Sequence, residues 1–215
     1  MKKLFIFDLD GTILDTVHTI AYYVNDALKH FGFPENETDA YKYFAGNGAT
    51  NLIHRSLAAH GLDTEDNFNK VYPYYMEQYN KNTLYKTAHF KGLPETLKAL
   101  KEKGIALAVV SNKPDGPAKL LCAQYFPGVY ALGEASDCPR KPAPDMLYKA
   151  MKAIGVDRCL YVGDSEVDVV TAKNAGAKCL SVLWGFRDRA DMEEVGGEYF
   201  CEKPADLLMK LEELM

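Results

Sequence analysis

Two acidic residues stand two positions apart, directly after an apolar run, near the start of the chain. Residues 4–7 are continuously apolar, which is typical of a strand buried on both faces, and Asp8 and Asp10 follow them. Side chains two positions apart on an extended backbone point to the same side. One such carboxylate can act as a nucleophile and the other as a proton carrier, and the residues alone leave open which does which.

Polar residues also follow two later apolar runs. We predict a buried strand at residues 105–110, which leads into Ser111 and Asn112, and another at residues 159–162, which leads into Asp164. Each cluster on its own is typical of a helix cap. The carboxyl ends of parallel strands meet at one edge of a sheet, where open α/β sheets bind ligands. We therefore expect these side chains to lie near the first two acids.

A fourth cluster adds positive charge. Lys141 stands in the proline-rich segment 139–144, just before a predicted helix. A phosphate ester is anionic, so it repels a carboxylate nucleophile unless positive charge lies between them. Asp8 and Asp164 offer the hard oxygen ligands that Mg²⁺ prefers. Lys141 supplies further positive charge and Ser111 a hydroxyl donor, so the four clusters together predict a site for phosphoryl transfer.

The composition limits the classes of partner. The chain has 215 residues, of which 47% are hydrophobic, and a net charge of −5, which gives no basic surface for a nucleic acid. Its five cysteines are odd in number and show no close pair, which argues against a zinc site or a disulfide framework and indicates the cytoplasm. We find no signal peptide and no apolar run of the ~20 residues that span a membrane. The oligomeric state, monomer or homodimer, stays open.

The order of predicted elements indicates two domains. No strand is predicted between residues 16 and 86, and strands alternate with helices from residue 93 onward, which is typical of a doubly wound parallel sheet. The predicted fold is α/β, with a Rossmann-like core at residues 1–15 and 87–215 and an all-helical insert at residues 16–86. Predicted helices lie at 16–31, 40–45, 49–60, 65–79, 93–103, 117–124, 144–154, 167–175 and 205–214, and later strands at 105–110, 130–132, 159–162 and 179–183.

The polar clusters resemble, in their order along the chain, the four motifs of the haloacid dehalogenase superfamily of phosphatases. The resemblance covers nearly the whole chain. The matching segments are Asp8-Leu9-Asp10-Gly11-Thr12 for the first motif, Ser111-Asn112 for the second, Lys141 for the third, and Gly163-Asp164-Ser165 with Asp168 for the fourth.

This resemblance implies a role for each matching residue. Asp8 would be the nucleophile that forms an aspartyl phosphate, and Asp10 would be the general acid and base. Asp8, the backbone carbonyl of Asp10, and Asp164 would bind Mg²⁺, with Asp168 supporting them. The residues implied to bind the phosphate are Ser111, Asn112 and Lys141.

The helical insert is similar to the cap domain that this superfamily carries after its first motif. Caps close over the substrate and exclude water. Gly46-Asn47-Gly48 and Arg55 look like residues of bacterial phosphoglycolate phosphatases, as does Trp184-Gly185-Phe186-Arg187 in the core. A helix that opens near Gly48 presents backbone N–H groups suited to a small carboxylate. We therefore predict Gly46, Asn47, Gly48 and Arg55 as substrate-binding residues.

The predicted function is Mg²⁺-dependent hydrolysis of a small phosphorylated metabolite, similar to phosphoglycolate, through an aspartyl phosphate. Two other activities of the superfamily stay open: a sugar-phosphate mutase of β-phosphoglucomutase type and an inorganic pyrophosphatase. A non-catalytic binding protein would normally have lost a core acid or the lysine, and all are present here. The physiological substrate, the choice between Mg²⁺ and Mn²⁺, and the role of His18 near the predicted hinge also stay open.

Overall fold

The computed structural model describes residues 3–214, except for the side chains of residues 211 and 212. The chain divides into two compact units. One contains the residues up to Asp15 together with those from His89 onward, and the other is the continuous segment Thr16–Ala88. The first unit is therefore assembled from two separate stretches of sequence.

The first unit is built on a parallel sheet of six strands. The sheet order is β5-β4-β1-β6-β7-β8, and each neighbouring pair is parallel. This confirms the predicted α/β fold with a parallel sheet. The strands of the described chain are β1 (Leu4–Phe7), β2 (Leu14–Asp15), β3 (Ala88–His89), β4 (Ala106–Pro114), β5 (Tyr130–Glu134), β6 (Leu160–Gly163), β7 (Lys178–Val182) and β8 (Tyr199–Cys201).

Helices connect these strands and form the second unit. In the first unit they are α5 (Leu93–Glu102), α6 (Asp115–Tyr125), α7 (Asp145–Ile154), α8 (Glu166–Asn174), α9 (Arg189–Glu194) and α10 (Leu207–Leu214). In the second unit they are α1 (Val17–His30), α2 (Tyr41–Phe44), α3 (Gly48–Ala58) and α4 (Glu65–Lys81). None of the helices described is long and apolar enough to cross a membrane.

The central position of β1 explains where the polar clusters meet. All four residues of β1 are buried, as its apolar run predicts. The strand pairs with β4 on one side and with β6 on the other, and Phe7 stands opposite both Val109 and Val162. Since the three strands are parallel and in register, the residues that follow Phe7, Val109 and Val162 emerge at one edge of the sheet.

The polar residues after Val110 lie within β4 rather than beyond it, so the predicted strand end at 110 is wrong. Val110 pairs with Leu132 and Pro114 pairs with Glu134, so four steps along β4 match two steps along β5. The extra residues form an irregularity of the kind that re-aims side chains at a sheet edge. Residues 111–113 fall inside it.

In the second unit, the predicted apolar stripe of α1 packs inward. Val17, Ile20, Val24 and Leu28 are buried, at the spacing expected for one face of a helix. Tyr75 of α4 is also buried, and so is Tyr79 one turn later.

Two short elements near the end of the chain were not predicted. The six-residue helix α9 has no long apolar stripe, and the three-residue strand β8 is too short for a pattern of period two to stand out. β8 lies at the edge of the sheet beside β7. Pairing with β7 supplies hydrogen bonds that the local sequence does not specify.

Candidate active site

Three carboxylates meet at the edge of the sheet where β1 and β6 end. Asp8, Asp164 and Asp168 are buried, and one oxygen from each lies within 4.8 Å of the others. Lys141 Nζ lies 2.8 Å from Asp8 Oδ1 and 2.8 Å from Asp168 Oδ1. The structure thus brings together predicted residues from three of the four motifs.

The charges in this cluster do not balance. Three carboxylates and one ammonium leave two negative charges uncompensated when all are ionised. Burial raises the pKa of Asp8 to about 7, although Lys141 acts in the opposite direction. Burial, reinforced by the charges of Asp168 and Asp8, also raises the pKa of Asp164 well above its ordinary value. The site therefore favours an added cation.

Asp168 is the most firmly held of the three acids. Its Oδ1 accepts hydrogen bonds from Lys141 Nζ and from the Tyr161 hydroxyl, at 2.8 and 2.9 Å. Its Oδ2 accepts from the Ser165 hydroxyl and from the backbone N–H groups of Ser165 and Asp164. Burial opposes ionisation of Asp168, but Lys141 and these donors outweigh it and lower the pKa. Asp168 thus fixes Lys141 and the loop that carries Asp164.

Asp164 is positioned by two residues that lie in segments quoted in the sequence analysis but were given no role of their own there. Thr12 Oγ1 donates to Asp164 Oδ1 at 2.8 Å, and the backbone N–H of Phe186 donates to Asp164 Oδ2 at 2.7 Å. Trp184 Nε1 donates to the carbonyl of Thr12 at 2.9 Å. The segment after β7 therefore closes around Asp164.

Two glycines make room for the Asp164 carboxylate. At Gly11, where φ is +82°, a side chain would collide with this carboxylate. At Gly185, a Cβ atom would collide with Asp164 and with the carbonyl of Gly11. Only glycine allows such a close approach of backbone to the acid.

One oxygen of Asp8 is suited to a ligand. Among the residues described, Asp8 Oδ1 is a buried oxygen that accepts no hydrogen bond, because the 2.8 Å approach of Lys141 Nζ is an ion pair outside hydrogen-bond angles. Buried carboxylate oxygens normally have a hydrogen-bonding partner. Together with the uncompensated charge beside Asp164, the Asp8 carboxylate fits a hard divalent cation.

The second predicted motif also reaches the site, and its asparagine has a defined partner. Asn112 Nδ2 donates to the carbonyl of Lys141 at 3.0 Å, and Asn112 Oδ1 accepts from the N–H of Lys141 at 2.8 Å. This pair fastens the lysine backbone to β4. Ser111 is buried, and its Oγ accepts from the N–H of Lys113 at 3.2 Å.

Lys113 is a site residue to which the sequence analysis gave no role. Its Nζ lies 2.9 Å from Asp10 Oδ1, and the two side chains are 5% and 14% exposed. The irregularity in β4 carries Lys113 to this position. Each of the paired acids near the start of the chain thus has its own lysine, Lys141 for Asp8 and Lys113 for Asp10.

Comparison with known proteins decides the family. The profile of the haloacid dehalogenase-like hydrolases matches residues 5–182. The chain belongs to this family. The predicted resemblance is confirmed, and so is the prediction of a hydrolase.

A named relative and a solved structure support the same family assignment. A phosphoglycolate phosphatase of Pseudomonas fluorescens is 34% identical over 86% of this chain and 71% of its own length. The crystal structure of a candidate phosphoglycolate phosphatase from Lactobacillus delbrueckii has a TM-score of 0.91 and 35% identity, and the match covers 99% of this chain and 98% of the other. A candidate β-phosphoglucomutase from Bacteroides vulgatus shares the fold, with a TM-score of 0.74 at 23% identity and coverage of 99% and 88%.

The four residues predicted in the insert cluster around the junction of α2 and α3. Gly46 and Gly48 have φ values of +104° and +81°, and α3 begins at Gly48 with Asn47 as its cap residue. Arg55 Nη1 donates to the carbonyls of Tyr43 and Phe44, at 3.0 and 3.1 Å. Arg55 thus binds carbonyls at the end of α2, and contact with a substrate stays a prediction for this hydrolase.

Proposed function

We propose that this hydrolase is a Mg²⁺-dependent phosphatase that acts on a small phosphorylated metabolite through an aspartyl phosphate. The observation that carries the proposal is the buried Asp8 Oδ1, which accepts no hydrogen bond from the described residues and lies beside Lys141 in an over-acidic cluster. A nucleophile needs an available lone pair, and a phosphate needs local positive charge.

The residues proposed to hold the cation are Asp8, the backbone carbonyl of Asp10, and Asp164. Their oxygens are hard ligands of the kind that Mg²⁺ takes. When bound, such a cation offsets the repulsion between the nucleophilic carboxylate and the phosphate dianion. Asp168 is already committed to five donors, so we assign it to supporting the site.

The proposed reaction proceeds in two steps. Asp8 attacks phosphorus and forms a new bond to it, while the bond to the leaving oxygen breaks and Asp10 donates a proton to that oxygen. Asp10 then takes a proton from water, which attacks the aspartyl phosphate, releases phosphate and restores Asp8. Lys141 and Ser111 hold the phosphoryl oxygens. Lys113 keeps the Asp10 carboxylate in place between the steps.

For the substrate we propose phosphoglycolate or a close relative. The support is the 34% identity to a phosphoglycolate phosphatase, and the structure around Gly46, Asn47 and Gly48 in the insert. The second unit, Thr16–Ala88, would act as the cap, and the N–H groups at the start of α3 would bind the carboxylate group of the substrate. A cytoplasmic location is part of this proposal, and the five cysteines of the chain are free.

A substrate panel tests the proposal. Purified protein is assayed with Mg²⁺ on phosphoglycolate, other phosphorylated metabolites, glucose 1-phosphate and inorganic pyrophosphate, with phosphate release and glucose 6-phosphate formation measured in parallel. We expect phosphate release to be fastest with phosphoglycolate. Faster isomerisation of glucose 1-phosphate would replace the phosphatase by a mutase, and a preference for pyrophosphate would replace it by a pyrophosphatase.

The nucleophile has its own test. Asp8→Asn should abolish turnover of every phosphate ester, because an amide oxygen is a poor nucleophile. Circular dichroism checks that the variant remains folded. Appreciable turnover by folded Asp8→Asn would disprove the assignment of Asp8.

A further inference from the structure

The hydroxyl group of Tyr161 is buried between two charged groups of the candidate active site. Tyr161 lies in β6 and its side chain is fully buried. Its hydroxyl donates to Asp168 Oδ1 at 2.9 Å and accepts from Lys141 Nζ at 3.0 Å. The Tyr161 hydroxyl therefore acts both as a donor and as an acceptor of hydrogen bonds at the site, in addition to the packing of its ring.

The Lys141 ammonium has three N–H donors and three close oxygens. Hydrogen bonds join it to Asp168 Oδ1 and to the Tyr161 hydroxyl, whereas the contact with Asp8 Oδ1 at 2.8 Å lies outside hydrogen-bond angles. The direction of the ammonium is thus set by Asp168 and Tyr161. Asp8 Oδ1 therefore lies close to the charge of the lysine without accepting a hydrogen bond from it.

Removal of the hydroxyl changes that arrangement in a definite way. A buried N–H group that loses its acceptor turns to the nearest other one. For Lys141 that acceptor is Asp8 Oδ1, already 2.8 Å away. A hydrogen bond there would stabilise the carboxylate anion and make Asp8 Oδ1 a weaker nucleophile.

We propose that Tyr161 is a positioning residue for phosphoryl transfer, whose hydroxyl holds the Lys141 ammonium against Asp168 and so keeps Asp8 Oδ1 available. The expected change in kcat rests on the proposed function. The expected change in the position of the Lys141 ammonium rests on the contacts alone. Tyr161 does not touch the reacting atoms and acts through Lys141.

Tyr161→Phe is a suitable probe because it removes one oxygen atom. The ring remains, and with it the packing of the core and the approach of Lys141 Nζ to within 5.7 Å of the ring centroid. The matched control is Tyr23→Phe, since Tyr23 is also buried and its hydroxyl donates to the carbonyl of Asn82 at 2.8 Å. Tyr23 belongs to the second unit, outside the proposed catalytic residues.

The kinetic measurement uses p-nitrophenyl phosphate with saturating Mg²⁺. We expect Tyr161→Phe to lower kcat about tenfold or more, as loss of a hydrogen bond to a charged group does, with KM within about twofold of the wild type. Tyr23→Phe should leave kcat unchanged. Equal kcat values for the two variants would overturn the inference.

A second measurement does not depend on turnover. In protein labelled with ¹⁵N-lysine, the ammonium signal of Lys141 is identified by its loss in Lys141→Arg. We expect this signal to shift in Tyr161→Phe and to stay in place in Tyr23→Phe. An unmoved Lys141 signal in Tyr161→Phe would overturn the inference, even if no phosphate ester were hydrolysed and the proposed function had failed.

Discussion

The charge imbalance at the site predicts that loss of Asp8, the proposed nucleophile, stabilises the metal-free protein. Asp8→Asn removes one negative charge from the cluster that also contains Asp164, Asp168 and Lys141. The variant resembles the protonated form of Asp8, which burial favours in the folded protein. We therefore expect a more stable protein in the absence of divalent cations, although we also expect the substitution to abolish turnover.

The magnitude follows from the pKa of Asp8, which is raised from 3.8 to about 7. At ~1.4 kcal/mol for each tenfold change in proton affinity, ionisation of Asp8 costs the folded protein about 4 kcal/mol. The raised pKa means that the folded protein binds this proton more tightly than the unfolded chain does. Stability is therefore lost as the pH rises from about 4 through 7, and the cost is complete by about pH 8.

The assay is denaturant unfolding in EDTA at several pH values. We expect Asp8→Asn and the wild type to unfold alike near pH 4, and the free energy of unfolding of Asp8→Asn to be higher by up to ~4 kcal/mol at pH 8. The control is Asp137→Asn, since Asp137 is exposed and pairs with Lys149 outside the site. Added Mg²⁺ should stabilise the wild type and close the difference.

The same experiment can refute this reasoning. If Asp8→Asn were less stable than the wild type at pH 8 in EDTA, the ion pair with Lys141 would contribute more than burial costs, and the site would not be over-acidic. A difference that did not grow with pH would show that Asp8 is not the titrating group.

Two further substitutions test the supporting residues. Lys113→Met should lower kcat about tenfold to a hundredfold because Asp10 loses its largely buried ion pair, whereas the exposed control Lys119→Met should match the wild type in the same turnover assay. Gly185→Ala should weaken cation binding at least tenfold, measured by Mn²⁺ electron paramagnetic resonance, because its Cβ displaces Asp164. Gly116→Ala has open space for a Cβ and should bind Mn²⁺ normally; equal binding by both variants would contradict the predicted clash.

The parts of the site that could be predicted from sequence are those fixed by strand order. Asp8 and Asp164 directly follow apolar runs, and parallel pairing of β1 with β6 is enough to bring them together. Lys113 could not be predicted in this way, because its contact with Asp10 depends on the irregular pairing of β4 with β5. No local pattern reports such a register shift.

Contacts between residues that are far apart in the sequence could not be predicted either. The N–H of Phe186 donates to Asp164, 22 positions earlier, and Thr12 donates to the same acid from 152 positions away. Tyr161 looked like an ordinary strand residue, since strand periodicity does not show what a buried hydroxyl touches. Arg55 is predicted to bind the substrate from a resemblance to phosphoglycolate phosphatases, whereas its hydrogen bonds to the end of α2 are visible only in the structure.

The central position of β1 bears on how the chain is made by the ribosome. β1 is synthesised before its neighbours β4 and β6, which begin at residues 106 and 160. At roughly 5–20 residues per second, about 150 further residues take roughly 8 to 30 seconds, during which this apolar strand has an unpaired edge. We expect nascent chains arrested before residue 160 to need chaperones, and limited proteolysis of arrested chains would show whether β1 stays accessible until β6 is complete.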